Sequence, residues 1–342
     1  MLGASIEFMT LQEIRQEYGS DGLKDYEGRV GKITDDTQMA LFTLEGMMRA
    51  RLSQLSNGTA LNPSILHNAY LRWLSTQFGS SANYNSKISQ SGWLTKQRLL
   101  HTQRAPGYRC ISSLQVASER GMDLPINNSK GCGGVMRIAP VGLMLDDPFQ
   151  LACEIAAITH GHATGFLSAG FMAEVVSQLC KGSNINEAMR MAIKKLKEYP
   201  DYEETFYVVN RALSLAANSE ASPEIVEQLG GGWIAEEALA IALFCALEAE
   251  NFRQGILLAV NHGGDSDSTG AIAGNLLGLI HGIEDIPTPW IEYLDARQII
   301  DEMVEDAIEI LTLQPNESAK LTDSDNSTDV LEKRLLEKYP PN

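Results

Sequence analysis

Two segments of this 342-residue chain set acids beside hydroxyls where a helix is about to start. Thr34-Asp35-Asp36-Thr37 stands directly before an apolar run with helical spacing, Met39, Phe42 and Met47. Thr34 or Asp35 can cap that helix, and acids in a first turn complement the helix dipole, each worth about 0.3–1 kcal/mol. Alone, the segment reads as ordinary helix initiation. His262-Gly263-Gly264-Asp265-Ser266-Asp267-Ser268-Thr269-Gly270 repeats the arrangement more than two hundred residues later. The repetition makes independent capping the weaker explanation. Four carboxylates brought together would carry a charge of −4, which two divalent cations would balance. Carboxylates with Thr and Ser hydroxyls form an oxygen-only donor set, which suits hard Mg²⁺ or Mn²⁺ and not zinc.

Rival readings of the second segment can be tried on its spacing. An EF-hand loop starting at Asp265 has Asp267 and Gly270 in register, but its twelfth position needs a bidentate Glu and holds Leu276. Asp265-x-Asp267-x-Thr269 also resembles the nucleophile motif of haloacid-dehalogenase phosphatases. That motif ends a buried strand of an α/β fold, whereas here Gly263-Gly264 precedes it in a helical chain.

Two further segments carry chemistry. Asn127-Asn128-Ser129-Lys130-Gly131-Cys132-Gly133-Gly134-Val135-Met136-Arg137 offers exposed backbone amides that could cradle a diphosphate, with charge from Lys130 or Arg137. It matches neither standard glycine-rich phosphate pattern, and a tight turn between helices is the alternative. In Thr159-His160-Gly161-His162 the histidines are two apart and do not share a helix face. One of them facing a ligand is the sharper expectation; a satisfied structural histidine is the other.

The elements that must position these residues are helical, so an all-α fold is expected. Ile300, Met303, Val304, Ala307, Ile308 and Leu311 recur at i, i+3, i+4 spacing and predict one buried helix face. Asp147-Pro148 and Ser222-Pro223 read as N-cap plus N1 proline pairs opening helices over 149–159 and 224–229. Asn186 can cap a helix that runs to Tyr199 before Pro200. Trp233–Ala249 is apolar on most faces and predicts a central helix. Small residues recur every fourth position at Gly161, Gly165, Ala169, Ala173 and again at Gly270, Gly274, Gly278. Glycine costs about 1 kcal/mol in a helix interior, so close helix approach is the expected reason, with simple filling the alternative. Gly79–Gly92 and Gly121–Gly134 read as loops. No alternating β-branched strands are spaced along the chain.

Composition bounds the function. Forty-four acids against 27 basic residues give a net charge of −17, which argues against nucleic-acid backbones and anionic membranes as partners. The polar stretch 315–342 holds only six acids and four bases, so the acidity belongs to the body. That stretch predicts a disordered tail with a short helix near Leu331–Lys338, after a domain over 1–314. Five scattered cysteines, with no CxxC pair, point to a reducing compartment. No secretory leader or bilayer-length apolar run is read, and a soluble cytoplasmic protein is expected.

Taken together and in this order, the segments resemble the ADP-ribosylglycohydrolase family, which includes dinitrogenase-reductase activating glycohydrolase and the ADP-ribosyl-acceptor hydrolases. The resemblance runs from Leu2-Gly3-Ala4-Ser5-Ile6-Glu7-Phe8 through Thr34–Thr37, Arg104-Ala105-Pro106-Gly107, Ser129–Pro140 and Thr159–Gly165 to Gly263–Gly274, covering residues 1 to about 312. It implies an all-α globule with a binuclear Mg²⁺ or Mn²⁺ centre. By motif, Thr34, Asp35 and Asp36 would ligate from one side, and Asp265, Asp267 and Ser268 from the other. Glu7 matches an acid near the scissile bond, and Glu7, Asp35 and Asp36 are the candidate catalytic carboxylates. Ser129, Lys130, Gly131, Gly133, Gly134, Val135, Met136 and His160 match positions that hold ADP-ribose. Family members usually carry a preceding helix ending in Gly-Asp-Ala-Leu-Gly, of which this sequence begins at the last Leu-Gly; that helix and its Asp are expected to be missing. The implied activity is hydrolysis of the glycosidic bond between ADP-ribose and an acceptor, either a protein side chain such as arginine or a small conjugate. The alternatives are a catalytically impaired binding or structural member of the same fold, and a metal phosphohydrolase of unrelated fold.

Overall fold

The computed structural model describes residues 1–58, 61, 63–78, 91–116, 121–313 and 333–340. Among them, helices and short 3₁₀ turns are joined by loops, with only two isolated β-bridges and no strand. The all-α expectation holds. Residues divide into two compact units: Met1–Thr37 with Ala105–Asp295, and Gln38–Arg104 with Ala296–Asn342. The predicted loop over 79–92 falls outside the described residues as far as 90, and so does most of the polar tail.

In chain order the helices are α1 (Leu11–Tyr18), α2 (Asp35–Asn57), α3 (Pro63–Phe78), α4 (Tyr108–Leu114), α5 (Ala139–Met144), α6 (Phe149–Ala157), α7 (Ala163–Cys180) and α8 (Ile185–Leu196). They continue as α9 (Glu203–Asn218), α10 (Pro223–Glu227), α11 (Ala235–Glu248), α12 (Phe252–Val260), α13 (Ser266–His281), α14 (Thr288–Glu292) and α15 (Arg297–Thr312). Residues 333–338 form a last helical segment, α16.

The first unit is built round α7 and α11. Both are buried almost all round, from Thr164 to Gln178 and from Ala235 to Ala246, which is why neither shows a strong apolar stripe. The predicted central helix at 233–249 is α11. Helices α6, α8 and α5 pack on α7, and α9 and α13 pack on α11. Caps fix several starts. Asn184, not Asn186, caps α8, because its carboxamide accepts from the Glu187 amide while Glu187 reaches back, a reciprocal pair that Asn186 inside the helix cannot make. Ser222 caps α10 with Pro223 at N1, as read from sequence. Before α6 the N-cap position falls on Pro148 with no side-chain cap; Asp147 instead lies 3.6 Å from Lys195 Nζ.

In the second unit, α2 and α3 bury Phe42, Met48, Tyr70 and Trp73. Glu45 accepts from Arg72 at 3.1 Å and lies 3.5 Å from Arg49, all three fully buried. The buried face of α15 agrees with expectation at Met303 and Ala307 but is otherwise shifted: Ile299 and Ile310 turn inward with them, while Val304 and Ile308 are 46% and 58% exposed. Asp306 lies on the inward side, where Arg334, Lys338 and the Tyr339 hydroxyl meet its carboxylate.

The glycine stripes are graded. Gly161 lies before α7, not within it, where a Cβ would meet the Asn127 carbonyl at 2.3 Å. A Cβ at Gly165 would stand 3.1 Å from the backbone of Ser129 and Lys130. On α13, a Cβ at Gly270 would stand 2.7 Å from Val260 Cγ1, one at Gly274 would make ordinary contact at 3.5 Å, and one at Gly278 would meet nothing. Close packing of α12 on α13 therefore explains Gly270 and not Gly278. Urea denaturation should find Gly278→Ala more stable by up to about 1 kcal/mol, because only helix propensity changes. The same measurement should find Gly270→Ala less stable, since the stiff valine must move. Equal shifts of one sign would contradict the packing account.

Candidate active site

Every piece of the site comes from the first unit. The chain turn Gly3–Ser5 packs on the start of α13, close enough that a Cβ on Gly3 would stand 2.2 Å from the Ser266 carbonyl oxygen. That contact sets Glu7 beside the second acid segment. Asp35 and Asp36 open α2, as expected from sequence, with Thr34 immediately before them. Asp265 is the N-cap of α13 and accepts from the Ser268 amide at 3.4 Å, so it does cap a helix while facing the other acids.

The two acid segments meet. One carboxylate oxygen from each of Asp35, Asp36 and Asp267 lies within 4.8 Å of the others, and the same holds for Glu7, Asp265 and Asp267. Asp267 belongs to both groups. The Thr34 hydroxyl donates to Asp36 Oδ2 at 2.9 Å, and the Gly107 amide donates to Asp35 Oδ2 at 3.0 Å. Asp36 Oδ1 is buried with no hydrogen-bond partner.

Such crowding disfavours ionisation. Burial first, and then the Asp267 charge, raise Asp36 to about 7, against the Thr34 and Ser268 hydroxyls, which pull it down. Burial and the Asp36 charge raise Asp265 to about 8. Burial, Asp267 and Asp36 raise Glu7 to about 7. Asp35 is held well above the usual carboxylate range by burial and by Asp36. An orphaned buried carboxylate oxygen within an oxygen-only donor set fits a hard divalent cation.

These groups line a cavity of about 240 Å³. Of the residues singled out from sequence, it brings together Glu7, Asp35, Asp36, Asp265, Asp267, Ser268, Gly131, Gly133, Met136 and His160. Thr34 stays one bond back, behind Asp36. Ser129, Lys130, Gly134 and Val135 are not in the lining. Lys130 Nζ pairs instead with Glu236 and Glu204. Arg137 is fully buried and donates to Thr159 Oγ1 and the Ile155 carbonyl, so it is no phosphate contact on the cavity wall. The two histidines separate in role. His162 caps α7 by accepting from the Thr164 amide. His160 faces the cavity, with Nδ1 2.8 Å from the Thr159 hydroxyl, and burial with Arg137 and Arg109 lowers its pKa to about 3. It is a neutral imidazole at physiological pH.

Sequence reading missed Cys132, Tyr108, Arg109 and Trp233, all of which line the cavity. The Cys132 thiol donates to Asp265 Oδ2 at 3.0 Å, and burial beside that acid raises its pKa well above the ordinary value. Trp233 follows Gly230-Gly231-Gly232, a glycine run just before an apolar helix, which was the available signal. This segment ties the others together. Gly231 O accepts from the Asp265 amide, Trp233 O accepts from Cys132, and the Ala235 amide donates to Lys130 O. Glu237 in turn accepts from the Gly231 and Gly232 amides. Gly264 has φ +157 and lies so close that a Cβ would meet Gly231 O at 2.0 Å.

The site is thus an all-helical body carrying two acid-tipped helix starts round one cavity, and the comparisons give it a family. The ADP-ribosylglycohydrolase family matches residues 1–318, and the chain belongs to it. It is 26% identical to ADP-ribosyl-[dinitrogen reductase] glycohydrolase of Rhodospirillum rubrum, over 86% of each chain. It is 24% identical to an ADP-ribosylarginine hydrolase of Serratia proteamaculans, over 89% of this chain and 74% of the other. A solved chain described as an ADP-ribosylglycohydrolase-related protein complex superposes with a TM-score of 0.58 and 22% identity, over 91% of this chain and 92% of that one, which supports the fold. The protein is thus a hydrolase of the ADP-ribosylglycohydrolase type. No helix among the described residues is long and apolar enough to cross a membrane.

The acids hold their protons more tightly folded than unfolded, so the unfolded chain ionises at lower pH. Metal-free protein should therefore lose thermal stability as pH rises from about 4 to about 8. Adding Mg²⁺ or Mn²⁺ should raise the melting temperature, and more so at the alkaline end. A melting temperature that rises across that window without metal, or that ignores both cations, would contradict the clustered-acid account.

Proposed function

We propose that this protein hydrolyses the glycosidic bond that joins ADP-ribose to a protein side chain, with arginine the acceptor, in a reaction that depends on divalent cations. The observation that carries the reading is the meeting of Asp35 and Asp36 with Asp267 round the unpartnered Asp36 Oδ1. The names of the relatives from Rhodospirillum rubrum and Serratia proteamaculans support ADP-ribosylated protein as the substrate class. The presence of all six proposed metal ligands, Thr34, Asp35, Asp36, Asp265, Asp267 and Ser268, supports hydrolysis over a binding-only role.

Thr34, Asp35, Asp36, Asp265, Asp267 and Ser268 would hold two Mg²⁺ or Mn²⁺ ions, which supply positive charge for orienting ribose hydroxyls and a water of lowered pKa. The chain's own residues do the rest. Cleavage at the anomeric carbon leaves oxocarbenium-like charge, and the ring of carboxylates stabilises it. Glu7 lies at the edge of the cavity with a pKa of about 7, so its carboxyl can hold or release a proton near neutrality. Asp35 and Asp36 are the remaining carboxylates for proton handling. Neutral His160 presents its ring beside Gly131 and Gly133, where it can meet a polar group of ADP-ribose without adding charge. Arg109 brings positive charge to the lining, a role that Lys130 and Arg137 do not fill. Cys132, in the same lining, donates to Asp265 and steadies it.

Incubation with Mg²⁺ and an ADP-ribosylarginine-bearing protein should release free ADP-ribose, detected chromatographically. Asp35→Ala and Asp267→Ala should each lower turnover by at least about a hundredfold, roughly the effect of removing a principal electrostatic group. Full turnover in either variant, or activity unchanged by EDTA, would overturn the proposal.

A further inference from the structure

A second opening adjoins the cavity. A groove of about 580 Å³ runs along α1, lined by Glu7, Phe8, Met9, Glu13, Gln16 and Glu17. Glu7 lines both spaces, so a bond cleaved beside Glu7 would have one product in the cavity and the other facing this groove. On the cavity side of Glu7 the lining continues into the acid cluster already described. On the groove side stands Phe8, 75% exposed, with one face stacked on Trp233 at 5.1 Å between ring centroids. Trp233 is 42% exposed, so the pair presents an aromatic platform at the junction of the two spaces. Phe8 keeps this outward position at φ +72, in the left-handed region.

The charge of the groove has one sign. Glu7, Glu13 and Glu17 face it, while the neighbouring cation on α1, Arg15, is paired with Glu224. The Glu13 carboxylate accepts from the Thr10 amide and hydroxyl and stays ionised. A planar cation can stack on an aromatic face while carboxylates nearby meet its charge.

We infer that the groove along α1, with the Phe8–Trp233 pair at its inner end, receives the polypeptide that carries the ADP-ribosyl group, and that it selects an arginine-rich segment. The inference rests on the proposed hydrolysis of ADP-ribosylated protein and adds where the acceptor chain lies. Phe8 and Glu17 are its specificity residues: Phe8 stacks a guanidinium, and Glu17 draws a second basic side chain along the helix.

The test is fluorescence anisotropy with a fluorescein-labelled, arginine-rich dodecapeptide, with a glutamate-for-arginine peptide as control, both in Mg²⁺ buffer. The wild-type protein should bind the arginine peptide and not the control. Phe8→Gly removes the ring while suiting the left-handed backbone, and Glu17→Lys reverses one exposed charge; each should weaken binding by about tenfold, the size of loss expected of a residue that carries the recognition and not of a peripheral contact. No preference for the arginine peptide, or unchanged binding in either variant, overturns the inference. The hydrolysis assay reports separately. Arginine-peptide binding that follows the variants, without release of ADP-ribose, would sink the hydrolase reading and leave the docking groove standing. Release of ADP-ribose with variant-independent binding would do the reverse.

Discussion

Mutual repulsion among buried carboxylates is the constraint on which the rest of the site depends. Glu7, Asp35, Asp36, Asp265 and Asp267 share one cavity, and two triplets of their oxygens lie within 4.8 Å. Among the described residues, none of these five is paired with a lysine or an arginine. Like charges at this spacing inside a protein either take up protons or gather cations. The rise of Asp36 to about 7 and of Asp265 to about 8 is the first response. Cation binding would be the second, and it is the one that would leave the carboxylates ionised for chemistry.

A frame that holds repelling groups together must be tied from several sides. Here backbone hydrogen bonds do this more than side chains. The segment from Gly230 to Glu237 accepts from Asp265, bonds the loop at Lys130 and Cys132 in both directions, and stacks its tryptophan on Phe8. Glycines make the approach possible at two points: Gly3 lies on the Ser266 carbonyl, and Gly264 on that of Gly231. A side chain at Gly3 would push the N-terminal turn off the second acid segment, and one at Gly264 would push that segment off Gly231. The same frame divides the cavity from the groove along α1, with Glu7 on the boundary. Chemistry and acceptor recognition then share one residue, and their electrostatics are coupled.

The acid segments were legible in the sequence because acids and hydroxyls at helix starts leave a local signature, and because the arrangement occurs twice. The same local logic found the Ser222 cap and the central helix α11. It failed where two local solutions compete. On α15 the series Ile300, Val304, Ile308, Leu311 is as regular as Ile299, Met303, Ala307, Ile310, and Asp306 on the inward face disguised the true one. Asn184 and Asn186 differ as caps only through what Glu187 reaches. Within the site, the roles of Lys130 and Arg137 were hidden because their partners, Glu204, Glu236 and Thr159, are distant in the chain. For Trp233 the only signal was the glycine run before it, and nothing local marked Phe8 as its stacking partner, since exposure of an aromatic at a cavity mouth is a property of packing and not of spacing.

Manganese anomalous scattering from crystals grown with Mn²⁺ puts the central claim to its most direct trial. The account predicts anomalous density among Asp35, Asp36 and Asp267, within bonding distance of Asp36 Oδ1, and a second peak toward Glu7 and Asp265. Crystals holding Mn²⁺ only elsewhere, with those carboxylates still crowded and metal-free, would contradict it.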